Sequence, residues 1–102
     1  MEQFIRNRIT TLRLQKGVSE YQMSYDLGRS RGYINNISSG KSLPSMSEFL
    51  SICEYFNISP KIFFDEALQT PTLTTELLNK IQQLDQQDSQ ILLELVNRLH
   101  KK

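Results

Sequence analysis

The chain has no tryptophan, one histidine, one cysteine, three prolines and four glycines among its 102 residues. Each scarcity excludes something. A lone cysteine, Cys53, forbids an internal disulfide and any cysteine-based metal cage, and it fits a reducing compartment. Its neighbours Leu50, Ile52 and Phe56 favour a buried core thiol over a reactive one, because a catalytic thiolate needs partners that this stretch does not show. The single histidine, His100, lies far from Cys53 in sequence, and no triad, phosphate-loop or metal-ligand spacing appears. The sequence therefore reads as a non-enzyme, with no metal and no cofactor. No apolar run approaches the roughly 20 residues of a membrane span. The start, Met1-Glu2-Gln3-Phe4-Ile5-Arg6, lacks the basic-then-apolar order of a signal peptide, so the expected location is the cytoplasm, with no membrane partner.

What is present is an ordinary globular balance, 38% apolar and 23% charged, which should fold. The length suits one compact domain with an accessory element and is too short for two ordinary domains. Net charge is only +1, but residues 1 to 41 hold seven basic against three acidic residues (+4), while residues 42 to 102 hold five against eight (−3). A basic half beside an acidic half points to a polyanion meeting the first part of the chain; scatter over a solvated surface is the alternative.

The rare glycines and prolines act as punctuation. Ile5, Ile9 and Leu12 recur at helical spacing from about Glu2 to Gln15, with arginines on other faces, and Gly17 ends that helix. Ser19 with Gln22 forms a capping-box pattern, and Val18 is placed to pack on Met23 as a hydrophobic staple, predicting a short helix from Glu20 to Leu27. Gly28 suits a left-handed terminator, and Ser30 can cap a third helix that starts at Arg31 and ends near Ser38, before Gly40. Two short helices joined by a three-residue, glycine-containing turn have helix-turn-helix spacing. Pro44 enforces a turn, and a Ser45/Glu48 capping box opens a helix through Phe56. Ser59-Pro60 opens a fifth helix that carries Ile62, Phe63 and Phe64 as core residues to about Leu68. Residues 69–72 read as a linker. Beyond them, Leu77, Leu78, Ile81 and Leu84 mark one amphipathic helix, and Ile91, Leu92, Leu95, Val96 and Leu99 mark another after an Asp85 cap.

The run from Val18 to Lys41, continued by Leu43-Pro44-Ser45, Phe49 to Cys53 and Phe56 to Pro60, resembles the lambda-repressor-like, Xre/Cro-type helix-turn-helix family over about residues 4 to 66. The resemblance implies an all-α, five-helix DNA-binding domain over residues 1–68, followed here by a C-terminal pair of helices over 73–102. Met23, Ser24, Leu27, Gly28, Ile34 and Ile37 stand where the family packs its two helices together. It implies a sequence-specific regulator of transcription, most simply a repressor of bacterial or prophage genes, whose partner is a double-stranded DNA operator. The base-facing positions are then Arg31, Gly32 and Asn36, with Tyr33 and Asn35 beside them. An arginine suits guanine and an asparagine suits adenine, or either contacts phosphate. Gly32 either allows close approach to DNA or is simply tolerated, since a glycine inside a helix costs about 1 kcal/mol relative to alanine. Phosphate anchors are expected at the N-termini of helices, among them Ser19 and Ser30, and at Arg29, Lys41 and Arg13. Two residues depart from the family pattern. Glu20 replaces a frequent phosphate-binding glutamine, where a carboxylate repels phosphate unless a neighbour engages it, and Ser38 replaces a frequent glutamate.

Residues past 70 lie outside the resemblance. Their leucine and isoleucine stripes either cap the domain's own core or pair two copies into a homodimer through Ile91, Leu92, Leu95, Val96 and Leu99. A rival reading is an antitoxin-like protein that binds a protein partner through acidic C-terminal helices and autoregulates through its helix-turn-helix.

Overall fold

A computed structural model describes residues 1–101 and shows seven helices in chain order, with no strand among the described residues. They are α1 (Glu2–Lys16), α2 (Glu20–Asp26), α3 (Tyr33–Ser38), α4 (Met46–Tyr55), α5 (Pro60–Phe63), α6 (Pro71–Gln82) and α7 (Gln86–His100). The fold is all-α, as the periodicity predicts.

Chain reversals explain how five short helices close round one core. At Gly28, φ is +70°, and the amides of Gly28 and Arg29 donate back to the carbonyls of Tyr25 and Ser24, both at 2.9 Å. This left-handed terminator satisfies two carbonyls that α2 would otherwise leave open. The same pair of bonds closes α3 at Gly40 and α4 at Asn57, the latter a non-glycine residue with φ of 56°. Ile9 and Leu12 of α1, Met23 of α2, Ile34 and Ile37 of α3, Phe49, Ile52 and Cys53 of α4, with Phe56, Ile58 and Phe63, form the buried cluster. Val18, Leu27 and Tyr33 pack against it from the edge.

Several boundaries differ from the sequence reading. The Ser45/Glu48 capping box is complete, whereas the Ser19/Gln22 box is half made. Ser19 Oγ accepts from the Gln22 amide, but the Gln22 side chain turns away and donates to Asp26 Oδ1 at 2.7 Å. The third helix starts at Tyr33, not Arg31, and Ser30 does not cap it with its side chain: the Ser30 carbonyl takes the Tyr33 amide, and residues 31–32 form a turn. The missing cap comes from elsewhere, because the buried Ser24 hydroxyl on α2 accepts the Ile34 amide at 3.1 Å while donating to the Glu20 carbonyl. The fifth helix stops at Phe63 rather than Leu68, since Asp65 folds a local turn by accepting the Ala67 amide.

That turn faces α1. Arg8, only 7% exposed, donates to the carbonyls of Leu68 and Asp65 at 2.6 Å each, and Gln15 donates to that of Gln69 at 2.9 Å. Pro71 is buried as the first residue of α6, and Thr72 lies in the same turn. The C-terminal part is different: α7 buries no residue, and the molecule extends 49 Å along one axis against 25 and 23 Å across.

Candidate nucleic-acid interface

Helix α3 has two unlike faces. Ile34 and Ile37 are fully buried against the core, so the opposite face, with Asn35, Asn36 and Ser39, is turned to solvent. Arg31 and Gly32 lie exposed at its entry, and Lys41 lies exposed just past Gly40 at its exit. All of them are exposed, within α3 or next to its two ends. Gly32 sits outside the helix as its N-cap, so the cost expected for a mid-helix glycine does not apply; a Cβ there would meet no atom within 4 Å.

Of the other expected site residues, Tyr33, Arg29 and Ser19 are engaged within the protein. Tyr33 is half-buried and donates its hydroxyl to Glu48 Oε1 at 3.0 Å, while Arg29 pairs with Glu48 Oε2 at 3.2 Å and lies over the Tyr33 ring. Burial, then the Glu48 bond, pushes the Tyr33 hydroxyl up to about 12. The Ser19 hydroxyl is occupied as the α2 cap, and Ser30 is exposed in the turn.

Arginine accounting is what the sequence reading missed. Arg6 donates to the carbonyls of Ile37, Gly40 and Ser42, so α1 caps the C-terminal end of α3. Arg8 is buried, and Arg13 donates to the Val18 carbonyl at 2.8 Å. Of the seven basic residues in the first 41, the side chains of Arg6, Arg8, Arg13 and Arg29 are thus engaged within the protein, which leaves the side chains of Lys16, Arg31 and Lys41 without an ion pair or hydrogen bond among the described residues. Lys16 lies over the Tyr55 ring and Arg31 over the Tyr21 ring. Tyr21 and Tyr25, 54% and 71% exposed, line a shallow depression with Arg29 and Arg31. Their spacing of four on the outer face of α2 was the signal that could have singled them out.

The two departures from the family pattern meet. Glu20, the first residue of α2, accepts from Ser38 Oγ at 2.5 Å through Oε2 and from Asn35 Nδ2 at 3.1 Å through Oε1. The Ser38 bond, then the Asn35 bond, holds its carboxyl below the usual range, against a smaller opposing effect of burial.

Among the described residues no helix is long and apolar enough to cross a membrane, and no group of His, Cys, Asp or Glu could hold a metal ion. Two consecutive short helices, locked by a buried cross-helix serine and presenting one exposed polar helix face, define a helix-turn-helix protein. The family model of the helix-turn-helix domain matches residues 7–82, most of the chain, and the chain belongs to that family. The domain points to a DNA-binding regulator. No curated protein and no solved structure matches the chain.

Proposed function

We propose that the chain is a sequence-specific, double-stranded DNA-binding repressor that acts as a homodimer. The observation that carries the DNA reading is the division of α3, with Ile34 and Ile37 sealed in the core and Asn35 and Asn36 outward between Arg31 and Lys41. Such a helix enters the major groove with its entry residues at base edges, while flanking cations hold phosphates. Arg31 and Asn36 then read bases, and Lys41 anchors the backbone.

The homodimer rests on the C-terminal helices. Leu73, Leu77, Leu78, Ile81 and Leu84 are exposed, as are Ile91, Leu93, Leu95, Val96 and Leu99, while Leu92 is half-buried. Large apolar side chains exposed in this number on two helices favour a cover. The acidic excess of the second half sits before residue 67. Residues 72–102 hold four basic (Lys80, Arg98, Lys101, Lys102) and four acidic (Glu76, Asp85, Asp88, Glu94) residues, so two copies do not repel and a basic partner is not favoured. Helix α7 has Asp85 as its N-cap and Asp88 in its first turn, and Arg98 in its last turn with Lys101 as its C-cap, so antiparallel self-pairing sets each acidic end against a basic one.

Capture of sheared genomic duplexes at 50 to 200 mM salt tests the function. Phosphate neutralisation releases counterions, so affinity for the enriched fragments should fall steeply, by roughly tenfold or more, over about that range. Absence of any duplex binding at the low end would remove the proposal.

A further inference from the structure

Glu20 makes an unusual neighbour for DNA. It carries a negative charge at the first turn of α2, on the side of the motif where α3 exposes Asn35. Left free, that carboxylate would repel phosphate. It is not free: both oxygens are occupied, one by Ser38 and one by the Asn35 amide nitrogen.

The Asn35 bond fixes an orientation. An asparagine amide can ordinarily turn over and present either its oxygen or its nitrogen to a ligand. An ionised carboxylate only accepts, so Glu20 can hold Asn35 in one sense alone, with Nδ2 towards α2 and Oδ1 away from it. Glu20 stays ionised because its hydrogen bonds favour the charged form. Asn35 Oδ1 has no partner among the described residues, and Asn35 is exposed. In the major groove adenine and cytosine offer amino donors, at N6 and N4, whereas the corresponding atoms of guanine and thymine are keto acceptors.

We propose that Glu20 is a positioning residue for sequence readout, locking Asn35 with its carbonyl oxygen outward so that it selects an amino base, adenine or cytosine, over a keto base on the strand it faces. This deepens the DNA-binding reading and rests on it. Ser38 holds the other carboxylate oxygen and keeps Glu20 against α3.

Selection from a random-sequence duplex pool by the full chain, followed by sequencing, tests it. Wild type should enrich adenine and cytosine over guanine and thymine by roughly tenfold at one position. Asn35→Ala should erase the preference at that position alone. Glu20→Ala should erase it at the same position and leave the others intact, the double variant should match Asn35→Ala, and Glu20→Gln, whose amide can donate to Asn35 Oδ1 as well as accept from Nδ2, should weaken the preference at that position. A Glu20→Ala pattern identical to wild type, or a uniform loss at every position, overturns the positioning role. If wild type enriches nothing, the DNA-binding reading falls first and this proposal with it. A measurement on the folded wild type needs no variant: the Asn35 side-chain amide resonances should move as Glu20 is protonated below pH 4.5, and resonances that stay fixed through that titration overturn the orienting bond.

Discussion

At the residue scale, charge type is legible in the sequence and charge use is not. The arginines of α1 fall on faces that a helical projection leaves polar, yet Arg6, Arg8 and Arg13 each reach a backbone carbonyl of another segment. Those acceptors are helix ends and turns, brought near only when the chain is folded. The same limit applies to Tyr33 and Arg29, whose common partner Glu48 lies 15 and 19 residues away. Arg31 and Lys41 are both exposed, and the roles proposed for them should make them behave differently. Arg31→Ala should cost roughly 1 to 3 kcal/mol on the selected site and relax one base position, while Lys41→Ala should weaken all duplexes nearly alike. Competition binding with selected and scrambled duplexes checks this, and an equal loss for Arg31→Ala on both would reassign it to phosphate. Cys53 is plain in both views: it is 2% exposed, and burial raises its thiol to about 11, so it stays protonated and inert.

At the element scale, local signals located every helix of the domain and misjudged two of its ends. Ser45 and Glu48 complete their box because both partners lie within one turn. The start of α3 escaped because its cap, Ser24, is ten residues upstream on another helix, and no local pattern encodes a cross-helix hydrogen bond. The fifth helix was read too long because Phe63, Phe64 and Leu68 keep an apolar tone after the backbone has left the helix. For α7 the stripe was legible and its cover was not. Ile91, Leu95, Leu99, Leu92 and Val96 share one wedge at about 3.6 residues per turn, and α7 buries none of its residues. Leu95→Glu should therefore convert a wild-type dimer to monomer while the far-ultraviolet helical signal persists, losing tight binding to a two-fold site with half-sites about 34 Å apart but keeping half-site binding. Sedimentation of both proteins decides it. A wild-type monomer at micromolar concentration, free and on DNA, ends the homodimer model, and a second protein co-purifying on residues 72–102 replaces it with a heterologous partner.

At the scale of the whole molecule, three carboxylates connect segments distant in sequence. Glu20 holds α3, Asp26 accepts from Tyr55 of α4 at 2.7 Å, and Glu48 joins α4 to Tyr33 and Arg29. Each is held below its ordinary value, Glu20 chiefly by Ser38, Asp26 by the Tyr55 hydroxyl and Glu48 by the Ser45 amide. Each folded-state value lies below the unfolded one, so the folded protein binds these protons less readily than the unfolded chain. Their contribution is complete above the ordinary values of 3.8 and 4.5 and is lost as pH falls through the lower folded values. Urea midpoints measured from pH 6 down to pH 3 should decline, and Glu20→Gln should flatten part of the decline; an unchanged slope would separate Glu20 from acid stability.

Local patterns in the chain encode the all-α class, the order of the helices, the apolar residues that meet in the core and the outward Asn35 and Asn36 of α3. Each of these follows from patterns within a few residues: helical spacing, a capping serine, a glycine where φ must be positive. Tertiary structure alone decided which cations remain for a polyanion, where α3 begins, and that Glu20 and Ser38, two separate departures from a family pattern, are partners in one hydrogen-bonded contact. The physical reason is the same in all three cases. A hydrogen bond is made at about 3 Å between atoms that sequence separation does not place, and only the packed arrangement of α1, α2, α3 and α4 brings those donors and acceptors together.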